Sequence, residues 1–595
     1  MFYLKQIIMK KLLFSVALSA LAVVAFAQNN GNVVQSGVNH VGTITQSGDL
    51  NQADVNQAGD FQQSEVVQTG TSNTALVSQD IATVAGGNVG NVTQEGIGND
   101  ATILQSEDDN KGYITQMGTS NVAEIDQESN IGKRDVENTS TIYQDGEGNV
   151  AKTLQDGNLN MSDIYQDGEA NDSYVWQSGS ENVADVDQMG LSNDADVYQK
   201  GDGQDATVYQ DGESNDARVY QDKNGVQGGN VTEISQTGTG NDAETIQTES
   251  DNYAGITQVG ESNVAKIDQQ TNWGKSDLDN LGSISQSGES HDALIEQNGN
   301  LLGAWVDQTG TNNTAKVTQD AEGGEALLGY SAVAWVNQSG NDGDVTVHQK
   351  GLYNAGVVTQ TGSFEVADVE QFGVASVAAV GQVDGYGNKA VVKQLDGSEL
   401  NVAAIGQYGG SKNYAGVRQT GETSVALVGQ AMSEMSRTAV IQAGDDNLAI
   451  TGQLMTYKSK ITIQQVGDGN IAGVAQAMEN ESEAYVWQRW GVEGSTAGIL
   501  QTLGGGNDAT IYQGIQGVAG GSNLDAQISQ YLQSGSTAMV QQSGDDHTAI
   551  ITQQFGGNNN ALVDQTGNGG HMGTISQTGS NHSATVLQSG NVVQP

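Results

Sequence analysis

An eleven-residue phrase, N-x-A-x-[IV]-x-Q-x-G-x-x, recurs along almost the whole chain. Its marker glutamines include Gln144, Gln155, Gln166, Gln177, Gln188, Gln199, Gln210 and Gln221. About 47 such units run from Gln35 to Gln588, with spacings that drift by a residue or two between Gln382 and Gln513. Asn, Ala, Ile or Val, and Gln fall on every second residue, which is the period of a strand. Gly two places after Gln supplies a positive φ for a turn, and Asn, which tolerates a left-handed backbone, is expected to close it. A helix is excluded by the period of two and by a glycine in every unit. Pro595 is the only proline, so nothing upstream interrupts a backbone ladder.

One strand and one tight turn, repeated dozens of times, describe an all-β solenoid in which each coil is stabilised by stacking on its neighbours. The insertions set the number of strands per coil. Long gaps follow Gln79, Gln127, Gln221, Gln269, Gln319 and Gln513, which are units 5, 9, 17, 21, 25 and 41 counted from Gln35. All are odd. Loops in a solenoid tend to leave from one face, so the expectation is two strands and about 22 residues per coil, in about 23 coils. A block of about 142 residues is also duplicated, with Gln35 to Gln177 mapping onto Gln177 to Gln319. The expected layout is a leader over 1–27 and a solenoid over 28–595, with the duplication inside 28–319 and more degenerate repeats over 320–595.

In VYQDGESNDARVYQ (208–221) the glutamines share side-chain parity with Val208, Ala217 and Val219, so they point inward. A buried amide must be hydrogen-bonded. If unit n stacks on unit n+2, Gln lies over Gln, and each amide can bond the next as in cross-β ladders. The expected ladder residues are Gln188, Gln199, Gln210, Gln221, Gln258, Gln269, Gln308 and Gln319. Asn193, Asn215, Asn263 and Asn313 do the same at the turns. Gly190 and Gly212 turn the chain, and Ala195 and Ala217 fill the interior between the amides.

Residues 1–27 read as a secretory signal: Lys10 and Lys11 precede an apolar run from Leu12 to Phe26, and Ala25-Phe26-Ala27 is a small-x-small cleavage site. The run is shorter than a typical membrane span, and no other stretch could cross a bilayer as a helix, so no membrane insertion is expected after cleavage. Cleavage removes Lys5, Lys10 and Lys11 and no acid, taking the formal charge from −49 to about −52. That charge argues against nucleic acid or anionic lipid as partners. The chain has no cysteine, so its stability does not come from disulfides.

The string Gln210-x-Gly212-x-x-Asn215-x-Ala217-x-x-x-Gln221 resembles the repeat of curlin, the subunit family of bacterial curli amyloid. Gln258 to Gln269 and Gln308 to Gln319 carry the same full motif. The resemblance implies a secreted, extracellular or cell-surface fibre subunit of a biofilm matrix, mediating adhesion. It also implies self-assembly, a curli-type outer-membrane secretion pore and a nucleator subunit as partners. This chain departs from the family in having several times more repeats, in having only a few residues between Gln28 and the first unit, and in half-repeats of nearly equal length.

Aromatic residues just before Gln form a candidate exposed stripe, Trp176, Tyr198 and Tyr220, on alternate units. Such a stripe serves either adhesion to sugars or ordinary cross-strand stacking. The alternative function is therefore a monomeric solenoid adhesin binding carbohydrate or another surface. Asp163, Asp194, Asp196, Asp205 and Asp216 fall at outward positions, where stacked like charges repel. The six histidines lie in separate units, and no His, Cys or carboxylate spacing suggests a metal site or cofactor. No nucleophile elbow or carboxylate cluster interrupts the regularity, so no enzyme is expected.

Overall fold

The computed structural model describes residues 28–80, 87–107, 109–128, 137–222, 229–249, 251–270, 280–320, 332–395, 397–489, 492–514 and 522–590. The leader over 1–27 lies outside them. The described residues contain 47 strands and no helix. By internal contacts the chain divides into two units, 1–200 with 210–212, and 201–209 with 213–595.

Each unit is a two-strand β-solenoid. In the first, Asn30–Val38 pairs in parallel with Gln52–Asp60, and Val41–Asp49 with Gln63–Thr71. Successive strands thus alternate between two parallel sheets. Register is kept residue for residue, so Gln35 faces Gln57 and Gly37 faces Gly59. The second unit repeats the arrangement: Asp216–Asp222 pairs with Asp242–Thr248 in one sheet, and Val231–Thr239 with Asn252–Glu261 in the other. Alternation puts Asn, Ala, Val or Ile, and Gln inside. Asn193, Ala195, Val197 and Gln199 are all buried, as are Ala217, Val219 and Gln221. The interior of each coil is therefore a thin apolar layer bounded at both sides by amides.

The expected parity of the insertions holds within each unit. The strands ending at Asp80 and Glu128 lie in the same sheet of the first unit. Those ending at Asp222, Gln270, Asp320 and Gln513 lie in one sheet of the second. The inserted segments themselves fall outside the described residues.

The turn differs from expectation in one respect. The glycine does adopt positive φ, 127° at Gly168 and 108° at Gly190, and the reason is contact as well as turning. A Cβ on Gly168 would sit 2.0 Å from the carbonyl oxygen of Gly190 in the next coil. The left-handed residue, however, is the one before asparagine: Ser72, Ala170, Ser192 and Ser214 have φ of 60°, 57°, 55° and 57°. The ladder asparagine itself does not take that place, because its amide bonds inside the coil; other asparagines, such as Asn312 and Asn558, do hold it, with φ of 54° and 55°.

The drifting spacings also have a geometric cause. Gln430, Gln453 and Gln476 are 23 residues apart and still lie in register. The extra residue enters a wider turn with two left-handed residues, such as Met432 and Met435, and the turn gains its own parallel bridge between Glu434 and Tyr457.

Candidate functional site: the amide ladders

Gln188 shows the unit of the ladder. Its Oε1 accepts from Nε2 of Gln166 at 2.8 Å. Its own Nε2 donates one hydrogen to Oε1 of Gln210 at 2.9 Å and the other to the main-chain oxygen of Asp172 at 2.7 Å. Asp172 begins a strand of the opposite sheet. The amide therefore ties coil to coil and sheet to sheet at once. A buried side-chain amide in this position is satisfied at both hydrogens and at its oxygen, which removes the desolvation penalty.

The same pattern runs in one direction along each unit. In the first, one ladder passes from Gln35 to Gln199 and the other from Gln46 to Gln210. In the second, Gln221 donates to Gln247 at 2.9 Å and to the oxygen of Asp205 at 2.9 Å. Gln258 donates to Gln286, Gln269 to Gln297, Gln308 to Gln338 and Gln319 to Gln349, all at 2.8–2.9 Å. Gln199 and Gln210 are fully buried and donate to the oxygens of Val183 and Asp194.

The asparagines form a second, different ladder. Oδ1 of Asn171 accepts the backbone N–H of Asn193 at 3.0 Å and its Nδ2 at 3.2 Å. Asn193 Nδ2 also reaches the carbonyl oxygens of Met189 and Gly212. Asn215 accepts from Asn241 in the same way and donates to Gly238. Asn263 donates to Gly288, and Asn313 to Gly340. Ala195 and Ala217 are buried between the two ladders. A Cβ on Gly190 would lie 2.1 Å from the oxygen of Gly212. Glycine, asparagine and glutamine are therefore one hydrogen-bonded assembly per coil.

The curlin associated repeat family matches residues 160–190, 190–222, 292–320 and 534–567, stretches that hold these ladder residues. The chain carries curlin repeats. No curated protein matches it in sequence.

Of the expected aromatic stripe, Tyr198 and Tyr220 are exposed and Trp176 is half-buried. Trp176 and Tyr198 face each other on adjacent coils, with ring centroids 6.5 Å apart. Tyr174 packs on Tyr198 at 5.4 Å, and Tyr143 stacks on Tyr165 at 5.0 Å in the other sheet. Tyr220 is exposed, with its hydroxyl bonded to Asp222 at 3.3 Å. Burial, first, and neighbouring carboxylates push the Tyr198 hydroxyl up, and the same pair of causes raises Asp163.

Sequence spacing understated the histidines of this curlin-repeat chain. His40, His291, His547 and His582 each stand five residues after a marker glutamine, the place of the ladder asparagine, and His571 stands six after. The imidazole copies the amide. His291 Nδ1 accepts the backbone N–H of Asn313, as Oδ1 would, and its Nε2 lies 3.3 Å from the oxygen of Ser287. His547 Nδ1 accepts the N–H of His571, and its Nε2 lies 2.8 Å from the oxygen of Gly567. This pattern needs the neutral ring protonated on Nε2. Burial holds both His291 and His547 below the usual histidine range. Glu365 takes the same place five residues after Gln360; it is buried, and burial raises its carboxyl to about 7.

Proposed function

We propose that the chain is a secreted structural subunit of a curli-like extracellular fibre, supporting biofilm and adhesion, and that it grows by templated stacking of coil on coil. The observation that carries this reading is the polarity of the ladders. Within each unit the glutamine-ladder bonds run from one coil to the next toward the C-terminus. At one end the amide oxygens of Gln35 and Gln46 therefore face away from the coils they donate to. At the other, Gln577 and Gln588 donate to the main-chain oxygens of Asn560 and Met572, with no further glutamine among the described residues. The N-terminal coil of the first unit offers acceptors, and the C-terminal coil of the second offers donors. The inward residues of Asn30–Val38 are exposed, and those of Ser583–Ser589 are only partly covered. Edges with unpaired main-chain groups are templates for another chain.

The ends also share text. Gly31 to Gln35 and Gly590 to Gln594 both read GNVVQ, although residues 591–594 lie outside the described residues. In this reading the two segments abut. Secretion through a curli-type pore and nucleation by a companion subunit belong to the same proposal and rest on the repeat family. The mature chain, residues 28–595, should form fibres with a meridional reflection at about 4.8 Å. Deleting 589–595 should slow elongation more than it alters folding. A chain that stays monomeric across salt and pH, yet binds carbohydrate through Trp176, Tyr198 and Tyr220, would be the solenoid adhesin instead.

A further inference from the structure

Six consecutive strands of one sheet in the second unit carry glycines that their own chain does not require. The strands are Val377–Tyr386, Val402–Tyr408, Val425–Ala431, Leu448–Leu454, Ile471–Asn480 and Thr496–Gly505, paired in parallel. Two central columns of side chains point outward from them. One column reads Ala379, Ala404, Leu427, Ile450, Gly473 and Gly498. The other reads Gly381, Gly406, Gly429, Gly452, Ala475 and Leu500.

Every row thus has one glycine and one larger residue, and where the large residue changes column the glycine changes with it. None of these six glycines has positive φ. A Cβ added to any of them meets nothing closer than 3.8 Å. Glycine inside a strand weakens it and marks a place where something approaches the backbone closely. Within this molecule nothing does.

The face is also apolar. Leu427, Ile450, Leu454, Ile471 and Leu500 are exposed on it, and two shallow depressions of about 660 and 650 Å³ run along its troughs. No charged residue points outward from these strands between Val377 and Thr502 at the four alternating positions up to the residue after Gln. The opposite sheet of the same coils carries Lys389, Lys393, Arg418, Arg437 and Lys460 at its outward positions. The absence of charge therefore belongs to the face and not to the segment.

We propose that this face pairs with the same face of a second copy, about a two-fold axis parallel to the stacking direction of these coils. That rotation brings each column of one copy over the other column of its partner. Leu427 then enters the trough at Gly429, Ile450 the trough at Gly452, and Leu500 the trough at Gly498, row by row. The interface is isologous, as closed dimers require. Six strands at about 4.8 Å and seven residues at about 3.3 Å give roughly 670 Å² on each copy and roughly 1,300 Å² for the pair, the size of a specific protein–protein interface. An exposed apolar patch of this extent is larger than monomers usually carry. In a chain of formal charge −49, an uncharged face is where two copies meet without like-charge repulsion. The pairing is lateral, and it does not rest on end-to-end growth.

The test fills the trough. Gly429→Val with Gly452→Val should leave the circular dichroism of the mature chain unchanged, because the added atoms meet no neighbour. Sedimentation of freshly prepared chain should show a dimer for the parent and at least tenfold weaker association for this variant. The row swap Leu427→Gly with Gly429→Leu keeps each row complementary and should restore pairing to within a few-fold. A parent that sediments as a monomer at tens of micromolar (the range such an interface commonly serves) overturns the proposal. So does a filled variant that pairs like the parent, or a swap that folds and fails to pair. A monomeric parent that floats with phosphatidylcholine vesicles would make the face a lipid surface and would equally overturn it. A chain that pairs but does not form fibres would leave this inference standing and remove the templated-growth reading.

Discussion

The side-chain amide of Gln188 donates to the side-chain carbonyl of Gln210, one coil on, at 2.9 Å. Both residues are fully buried, and the second hydrogen of Gln188 crosses the coil to the main chain of Asp172. Gln188→Leu would fill the space but leave Gln166, Gln210 and Asp172 each short of a partner. Leaving buried polar groups unsatisfied costs about 1–3 kcal/mol each where they cannot relax, so a local loss of about 2–4 kcal/mol is expected. Hydrogen exchange reads it coil by coil: protection should fall around 160–215 and persist in distant coils, as nearest-neighbour stacking requires.

The turns give opposite effects at two neighbouring positions. Leu50 and Phe61 hold left-handed φ of 59° and 60° with exposed side chains. Phe61→Gly should stabilise the turn by about 0.5–1 kcal/mol, the left-handed penalty less the added freedom of glycine. Gly168→Ala should destabilise by at least about 2 kcal/mol, since its Cβ would meet the Gly190 oxygen at 2.0 Å. Equal responses of the two sites to glycine and alanine would contradict the turn geometry.

The histidine substitution of the asparagine ladder makes stability depend on acid. Burial lowers the folded-state pKa of His291 and His547 below the unfolded value near 6.5, so the unfolded state binds more protons between the two. Their sites should be unaffected above about pH 6.5 and weaken as pH falls below it. The His571 ring stacks on His547 at 4.9 Å, which adds to the effect once it is charged, while Asp545 opposes it. His547→Asn should keep the ladder and remove the acid-side loss of exchange protection near residues 542–571. A pH profile unchanged by the substitution would rule this out.

Glu365 should show the reverse sign. Its folded pKa, about 7, lies above the unfolded value of about 4.5, so folding favours the protonated form. The site is unpenalised below pH 4.5 and is increasingly destabilised as pH rises to 7. Its Oε1 accepts from Asn388 at 3.3 Å, and Oε2 is buried with no partner. Glu365→Gln should raise local stability at pH 8 by roughly 2–3 kcal/mol and have little effect at pH 4, measured by exchange or by thermal melting.

The strands, their two-per-coil stacking and the inward glutamines were readable because each rests on a period. Alternation fixes which side chains face in, and the odd-numbered insertions fix the stacking partner. The left-handed turn residue was not readable. Ser192, Leu50, Phe61 and Glu181 share no chemistry, since the position selects φ and not a side chain. The histidines were obscured for a different reason: an imidazole reproduces the hydrogen-bond geometry of an amide without resembling it in a consensus. The glycine trough required register as well. Gly381, Gly406, Gly429 and Gly452 stand 25, 23 and 23 residues apart, and only the paired strands bring them into one column.

The most direct measurement of the central claim is seeded elongation. Sheared fibres of the mature chain should abolish the lag of fresh monomer, and capping the donor end by Gln577→Leu with Gln588→Leu should restore slow growth while leaving the inner coils protected from exchange. Growth that ignores seeds, or that is indifferent to these two glutamines, would contradict coil-on-coil templating through the amide ladders.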